Sequence, residues 1–164
     1  MNLLFGSCLF FLCIIAGSPL AAQEGETGFK KADFYNAMAG KNADAINKQL
    51  EVIKTSSVTE KNAYEGALLM KKAGIAGGAK KKLDLFKEGH KKLEAVLQKD
   101  SSNVEFRFLR LMIQEHAPGI LGYKGQLDND SQYIRENFGK LLPVVQQAVR
   151  EYSKKSIFLK SADL

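Results

Sequence analysis

The chain has 164 residues, with 24 Lys and Arg against 18 Asp and Glu, a formal net charge of +6 and a pI near 9.2. Its two cysteines, Cys8 and Cys13, both stand close to the N-terminus, so a disulfide-stapled fold is excluded and the rest must be held by its core. With His90 and His116 as the only histidines, there is little from which to build a nucleophile with its base, or a metal with its ligands.

Met1 to Ala22 contains no charged side chain, is apolar from Leu3 to Ala16, and ends in Leu20-Ala21-Ala22 before Gln23. This pattern resembles a secretory signal cut after Ala22 and predicts a periplasmic or secreted protein. The alternative is an uncleaved anchor, but Gly6, Ser7, Gly17 and Pro19 shorten the apolar run below the roughly 20 residues of a spanning helix. Neither cysteine has a lipid-attachment context. Gln23 to Gly28 is polar and Gly-rich, a tether with little reason to fold. The mature chain of about 142 residues suits one domain, 29–164, burying roughly two thirds of its unfolded surface.

From Phe29 onward the apolar periodicity is helical and no strand pattern occurs, which predicts an all-α fold of about seven helices. The first helix, from about Lys30 to Ala39, turns Phe34, Tyr35 and Met38 inward and stops at Gly40. Asn42 caps the second, where Ile46, Leu50 and Ile53 share a face and Asp44 sits in the first turn. The third begins near Thr59 and carries Ala63, Gly66, Ala67, Met70 and Ala73 on one stripe, small enough for another helix to approach. The fourth runs to about Lys99 with Leu85, Phe86, Gly89, Leu93, Val96 and Leu97 inside. Gly89 on that apolar face costs about 0.5 to 1 kcal/mol relative to Ala, which a close crossing with the third helix explains.

The next helix is the centre of the fold. Val104, Phe106, Phe108, Leu109, Leu111, Met112 and Ile113 cover most of its circumference, as expected of a buried helix. Ser102 with Glu105 three residues on has the spacing of a capping box. On the remaining stripe Asn103, Arg107, Arg110 and Gln114 lie within about 60° of one another. That stripe is the candidate ligand- or partner-binding site; the competing reading is a window to solvent or an internal salt-bridge position, with Glu65, Glu88 or Glu136 as partners.

Beyond it Pro118-Gly119 breaks the helix, and Ile120 to Tyr123 form an irregular apolar corner. Asp128-Asn129-Asp130-Ser131 opens like a calcium loop but lacks Gly at its sixth position and Glu at its twelfth, so it is expected to cap the following helix. That helix and its exit bury Ile134, Phe138, Leu141 and Leu142. Pro143 opens a last one with Val145, Ala148, Val149 and Tyr152 inside, and Ile157 to Leu159 dock the tail.

No cofactor or metal is expected. The histidines have no second ligand at i+4, and Gly74 to Gly78 lacks phosphate-loop spacing. Lysine doublets at Lys30-Lys31, Lys71-Lys72, Lys80 to Lys82, Lys91-Lys92 and Lys154-Lys155 read as solvated surface or, if they converge, as a face for anionic lipid head groups or acidic polymers. Nucleic acid is disfavoured by the leader and by the few aromatics free to stack on bases.

Ala63-Tyr64-Glu65-Gly66-Ala67, followed by Lys99-Asp100-Ser101-Ser102-Asn103 and continuing to Arg110, resembles a degenerate tetratricopeptide unit of about 45 residues. The Trp of that motif is absent, the loop between its helices is longer and Gly-rich, and Ser101 stands where Pro is usual. The mature chain also resembles a group of uncharacterised bacterial exported proteins of tetratricopeptide-like fold, through Glu105 to Pro118. The resemblance implies antiparallel helix pairs stacked in a superhelix and a surface for a protein or peptide partner, and it brings no assigned activity. Two functions follow as expectations: a non-enzymatic exported adaptor, with an acidic partner if the arginine stripe receives it, or an envelope module holding an anionic ligand on lysine faces.

Overall fold

The computed structural model describes residues 28–164; the leader and all of the tether but Gly28 lie outside the described residues. Among the described residues there are seven α-helices and no strand: α1 (Lys31–Ala39), α2 (Ala43–Thr55), α3 (Lys61–Ile75), α4 (Ala79–Lys99), α5 (Val104–His116), α6 (Leu127–Asn137) and α7 (Pro143–Ser153). None of these helices is long and apolar enough to cross a membrane.

The helices pack in successive pairs, α1 on α2, α3 on α4 and α5 on α6, while α3 also meets α2 and α5, and α7 returns to α1. Local chemistry sets the ends. Asn42 accepts hydrogen bonds from the Asp44 and Ala45 amides at 2.8 and 3.2 Å, satisfying donors that the first turn leaves open. Pro143 occupies the first turn of α7, where no amide donor is needed. At the start of α3, Glu60 holds a left-handed conformation, and the helix begins at Lys61 rather than near Thr59.

The crossing of α3 and α4 depends on two missing side chains. A Cβ on Gly66 would lie 2.7 Å from the Gly89 carbonyl oxygen, and one on Gly89 would lie 2.5 Å from the Gly66 carbonyl oxygen. The two backbones therefore touch, and this contact offsets the entropic cost of a mid-helix glycine. Central to the core is α5, whose Phe108, Leu109 and Leu111 are wholly buried.

Helix α1 is tied to the centre by aromatic packing. Phe34 meets Tyr35 and Tyr64 edge to face, both at 5.1 Å, and Tyr64 meets Phe106 at 5.7 Å. Two outward placements correct the sequence expectations. Leu142 and Ile157 are mostly exposed, the first just after a short 3-10 turn at Phe138–Lys140 and the second in the tail beyond α7, while Phe138 is partly buried and packs against the core. In the tail, Leu159 is fully buried.

Candidate functional site

The stripe on α5 is assembled as the sequence predicts, and each of its members is engaged inside the protein. Arg110 donates from Nε and Nη2 to the two oxygens of Asp130 at 2.7 and 2.8 Å, and from Nη1 to Glu94 at 3.2 Å. Arg107 donates to the same Asp130 at 3.1 Å and to the Ser101 carbonyl at 2.6 Å, and its guanidinium lies 4.2 Å from the centre of the Tyr133 ring. Asn103 caps α5 by accepting from the Phe106 amide at 3.1 Å, and Gln114 accepts from the Gln126 amide at 3.3 Å. The Asp130 side chain is 0 % exposed, and its charge is balanced by both arginines. Burial alone would lower the Arg110 guanidinium; the hydrogen bonds and charge of Asp130, helped by Glu94, raise it overall.

Several sequence assignments change with this geometry. Asp130 belongs to the first turn of α6 and does not cap it. None of the three partners proposed for the arginines takes that place: Glu65 is bound by Lys92 at 3.1 Å, Glu136 by Gln132 at 2.8 Å, and Glu88 stands exposed on α4. Glu105 does not turn back to Ser102, because the cap is Asn103 and the Ser102 hydroxyl donates to Asp100. Instead Glu105 accepts from Lys31, Tyr35 and Tyr64, joining α1, α3 and α5. Burial first and the Glu105 charge second push both phenols well above their ordinary range, so they stay protonated donors. Tyr123 on Glu94 and Tyr152 on Glu115 repeat the device.

The cavity lies elsewhere. A groove of about 970 Å³ runs along the face shared by α1, α3, α5 and α7, with the start of α4 and the corner after α5 along one side. Its floor carries Met38, Met70 and Met112, the only methionines among the described residues. Ile113, Phe86 and Tyr152 extend the apolar lining, and Ile120 and Leu83 stand on its rim. Ile120 is 95 % exposed, which turns the expected apolar corner outward. Asn103, Arg107, Arg110 and Gln114 take no part in this lining.

Charge on the groove is one-sided. Lys41, Lys71, Lys82 and Lys155 line it, against one acid, Glu151, whose two oxygens both accept from Lys154 at 2.7 Å. Burial, followed by the charges of Lys155 and Lys41, holds the Lys71 ammonium below its ordinary range. Sequence reasoning missed the groove because each methionine, taken singly, is indistinguishable from core.

Among the described residues no group of three or more His, Cys, Asp or Glu could hold a metal ion. His90 packs against Phe86 and Tyr123, and His116 lies beside Tyr152 on the groove. No protein-family model matches the chain, and neither does any curated protein or solved structure.

Proposed function

We propose that this chain acts, after export, as a non-enzymatic helical adaptor that binds an apolar helical segment of a partner protein in the groove along α1, α3, α5 and α7. One observation carries the reading: an open trough of about 970 Å³ has a floor made of Met38, Met70 and Met112. Methionine is unbranched and polarisable, and a surface built from it repacks around different apolar side chains. The Tyr35 and Tyr152 hydroxyls of the lining are committed to Glu105 and Glu115, which leaves Asn36 and Gln147 as its amide side chains beside a mostly apolar surface. A helix satisfies its own backbone and needs only an apolar surface for one face.

Ile120 and Leu83 favour a macromolecular ligand over a small one. They extend the apolar surface past the rim, where a small molecule sunk in the trough would leave them in water. The resemblance to tetratricopeptide units agrees with this, because such units present a groove on alternate helices. A second reading, an envelope module gripping an anionic lipid or polymer, draws on the exposed Lys80 to Lys82 run at the start of α4.

The test is a selection from a displayed library of helical peptides, using the mature protein as bait and Ile120→Asp as counter-bait. Enrichment of peptides with apolar residues at i, i+3, i+4 and i+7, lost on the variant, is the expected result. A pool that binds both baits equally would remove the groove from consideration.

A further inference from the structure

The groove reading leaves open what its ligand carries besides an apolar face, and the remaining cations address this. The buried and half-buried carboxylates are committed internally: Asp130 to the two arginines, Glu94 to Tyr123 and Arg110, Glu105 to Lys31 and two tyrosines, Glu115 to Tyr152, Ser156 and the Ile157 amide. By contrast, Lys41, Lys71 and Lys155 have no ion pair and donate no side-chain hydrogen bond among the described residues. They come from three separate places, the α1–α2 turn, α3, and the residues just past α7, yet all three line the same groove.

Resting on the groove reading, we propose that the helical segment it receives is acidic along one flank, and that Lys41, Lys71 and Lys155 accept its carboxylates. Lys71 is the informative member, because it is half-buried and faces two like charges, with no ion pair of its own among the described residues. Holding three ammonium groups at one partly desolvated edge disfavours the unliganded protein, and an arriving carboxylate relieves that repulsion while gaining charge-assisted hydrogen bonds. The apolar floor fixes which face of the ligand helix points inward, and Lys41, Lys71 and Lys155 fix which flank carries its acids.

Two synthetic peptides of about four helical turns, each with leucine at i, i+3, i+4 and i+7, serve as probes. One carries glutamate on a single flank and the other glutamine, and affinities are measured by fluorescence anisotropy at low and high ionic strength. The glutamate peptide should bind about tenfold tighter at low salt and lose most of that advantage at high salt. In the Lys71→Gln, Lys155→Gln double variant, with helicity and melting temperature checked as unchanged, the difference in affinity between the two peptides should vanish.

Equal affinity of the two peptides for the wild-type protein would overturn the proposal while leaving the groove reading intact. A preference that survives the double variant would place the acid-binding surface elsewhere and also overturns it. If neither peptide binds, the groove reading falls with it. Two other occupants would be revealed by the same samples: a dimer of the free protein that dissociates in the Ile120→Asp variant assigns the groove to a second copy. Capture by anionic vesicles with no peptide binding assigns it to a membrane surface, and either result overturns the proposal.

Discussion

Arg110 and Asp130 meet edge to edge, two hydrogen bonds of 2.7 and 2.8 Å joining a guanidinium on α5 to a fully buried carboxylate on α6. Such a pair adds little over a well-packed apolar pair, but breaking it strands a buried charge. Arg110→Gln is therefore expected to cost about 3 kcal/mol, the low end for a broken buried pair, since Arg107 still reaches Asp130 at 3.1 Å. A urea titration reads this as a lowered midpoint with an unchanged slope. Peptide affinity of the folded fraction should not move, because the stripe lies outside the groove. An unchanged midpoint with lost binding would return the stripe to the position of a ligand site.

The two-glycine crossing of α3 and α4 gives a prediction of opposite sign at neighbouring positions. Gly66→Ala or Gly89→Ala places a Cβ against backbone and should destabilise by about 1 to 3 kcal/mol through overpacking. Gly74, near the end of the same α3, has nothing within 4 Å of its ideal Cβ and no positive φ. Gly74→Ala should stabilise by about 0.5 to 1 kcal/mol through a smaller loss of backbone entropy on folding. Thermal melts of the three variants decide the matter, and a Gly66→Ala protein as stable as wild type would mean the helices are free to slide apart.

These elements differ in how far the sequence disclosed them. The crossing was legible because a glycine in the middle of an apolar helical face costs stability unless a second backbone lies against it. Helix α5 was legible because seven apolar residues around one helix leave it nowhere to go but the centre. The arginine stripe was visible as a stripe, but its partner was not. Asp130 stands 20 positions away, in a cluster of acids that local rules assign to a helix start, and only the packing of α6 on α5 turns it inward. Glu105 misled for a related reason: capping-box spacing was present, while Asn103, one residue later than Ser102, provided the cap. The groove was illegible because its floor comes from three helices, and nothing along the chain says that Met38, Met70 and Met112 share a surface.

Alkaline pH should unfold the protein through its tyrosines. Tyr35, Tyr64, Tyr123 and Tyr152 are each raised above 10.0, by burial first and then, for Tyr35, Tyr64 and Tyr123, the charge of a neighbouring carboxylate; for Tyr152 the hydrogen bond to Glu115 comes second. Below pH 10 both folded and unfolded chains hold these protons, and the stabilisation is fully present. Above it the unfolded chain releases them while the folded chain retains them, so stability falls with rising pH by about 1.4 kcal/mol per unit for each phenol. Tyrosinate absorbance and loss of helical circular dichroism should then appear together. Phenols that ionise well before the helices melt would show that the carboxylate contacts are loose in solution.

The last prediction concerns the tail that carries Lys155. Glu115, on α5, accepts from the Tyr152 hydroxyl at 2.6 Å, the Ser156 hydroxyl at 2.8 Å and the Ile157 amide at 2.7 Å. One carboxylate thus holds the end of α7 and the first residues beyond it, and Ile157 itself, 72 % exposed, contributes little burial to replace that hold. Removing it by Glu115→Ala leaves the tail to Leu159, the partly buried Phe158 and Leu164, the Arg135 hydrogen bond to the Phe158 carbonyl and the Ser153–Ser161 contact, so segment 154–164 should open locally more often without global unfolding. Limited trypsin digestion should cut faster after Lys154, Lys155 and Lys160, while cleavage within α3 and α4 keeps its wild-type rate. Lys155 loses its fixed place at the same time, so the glutamate peptide should lose part of its advantage over the glutamine peptide in this variant. Tail cleavage at the wild-type rate would mean that Leu159 and the 3-10 turn after it suffice to hold the tail, and that Glu115 serves only to satisfy Tyr152.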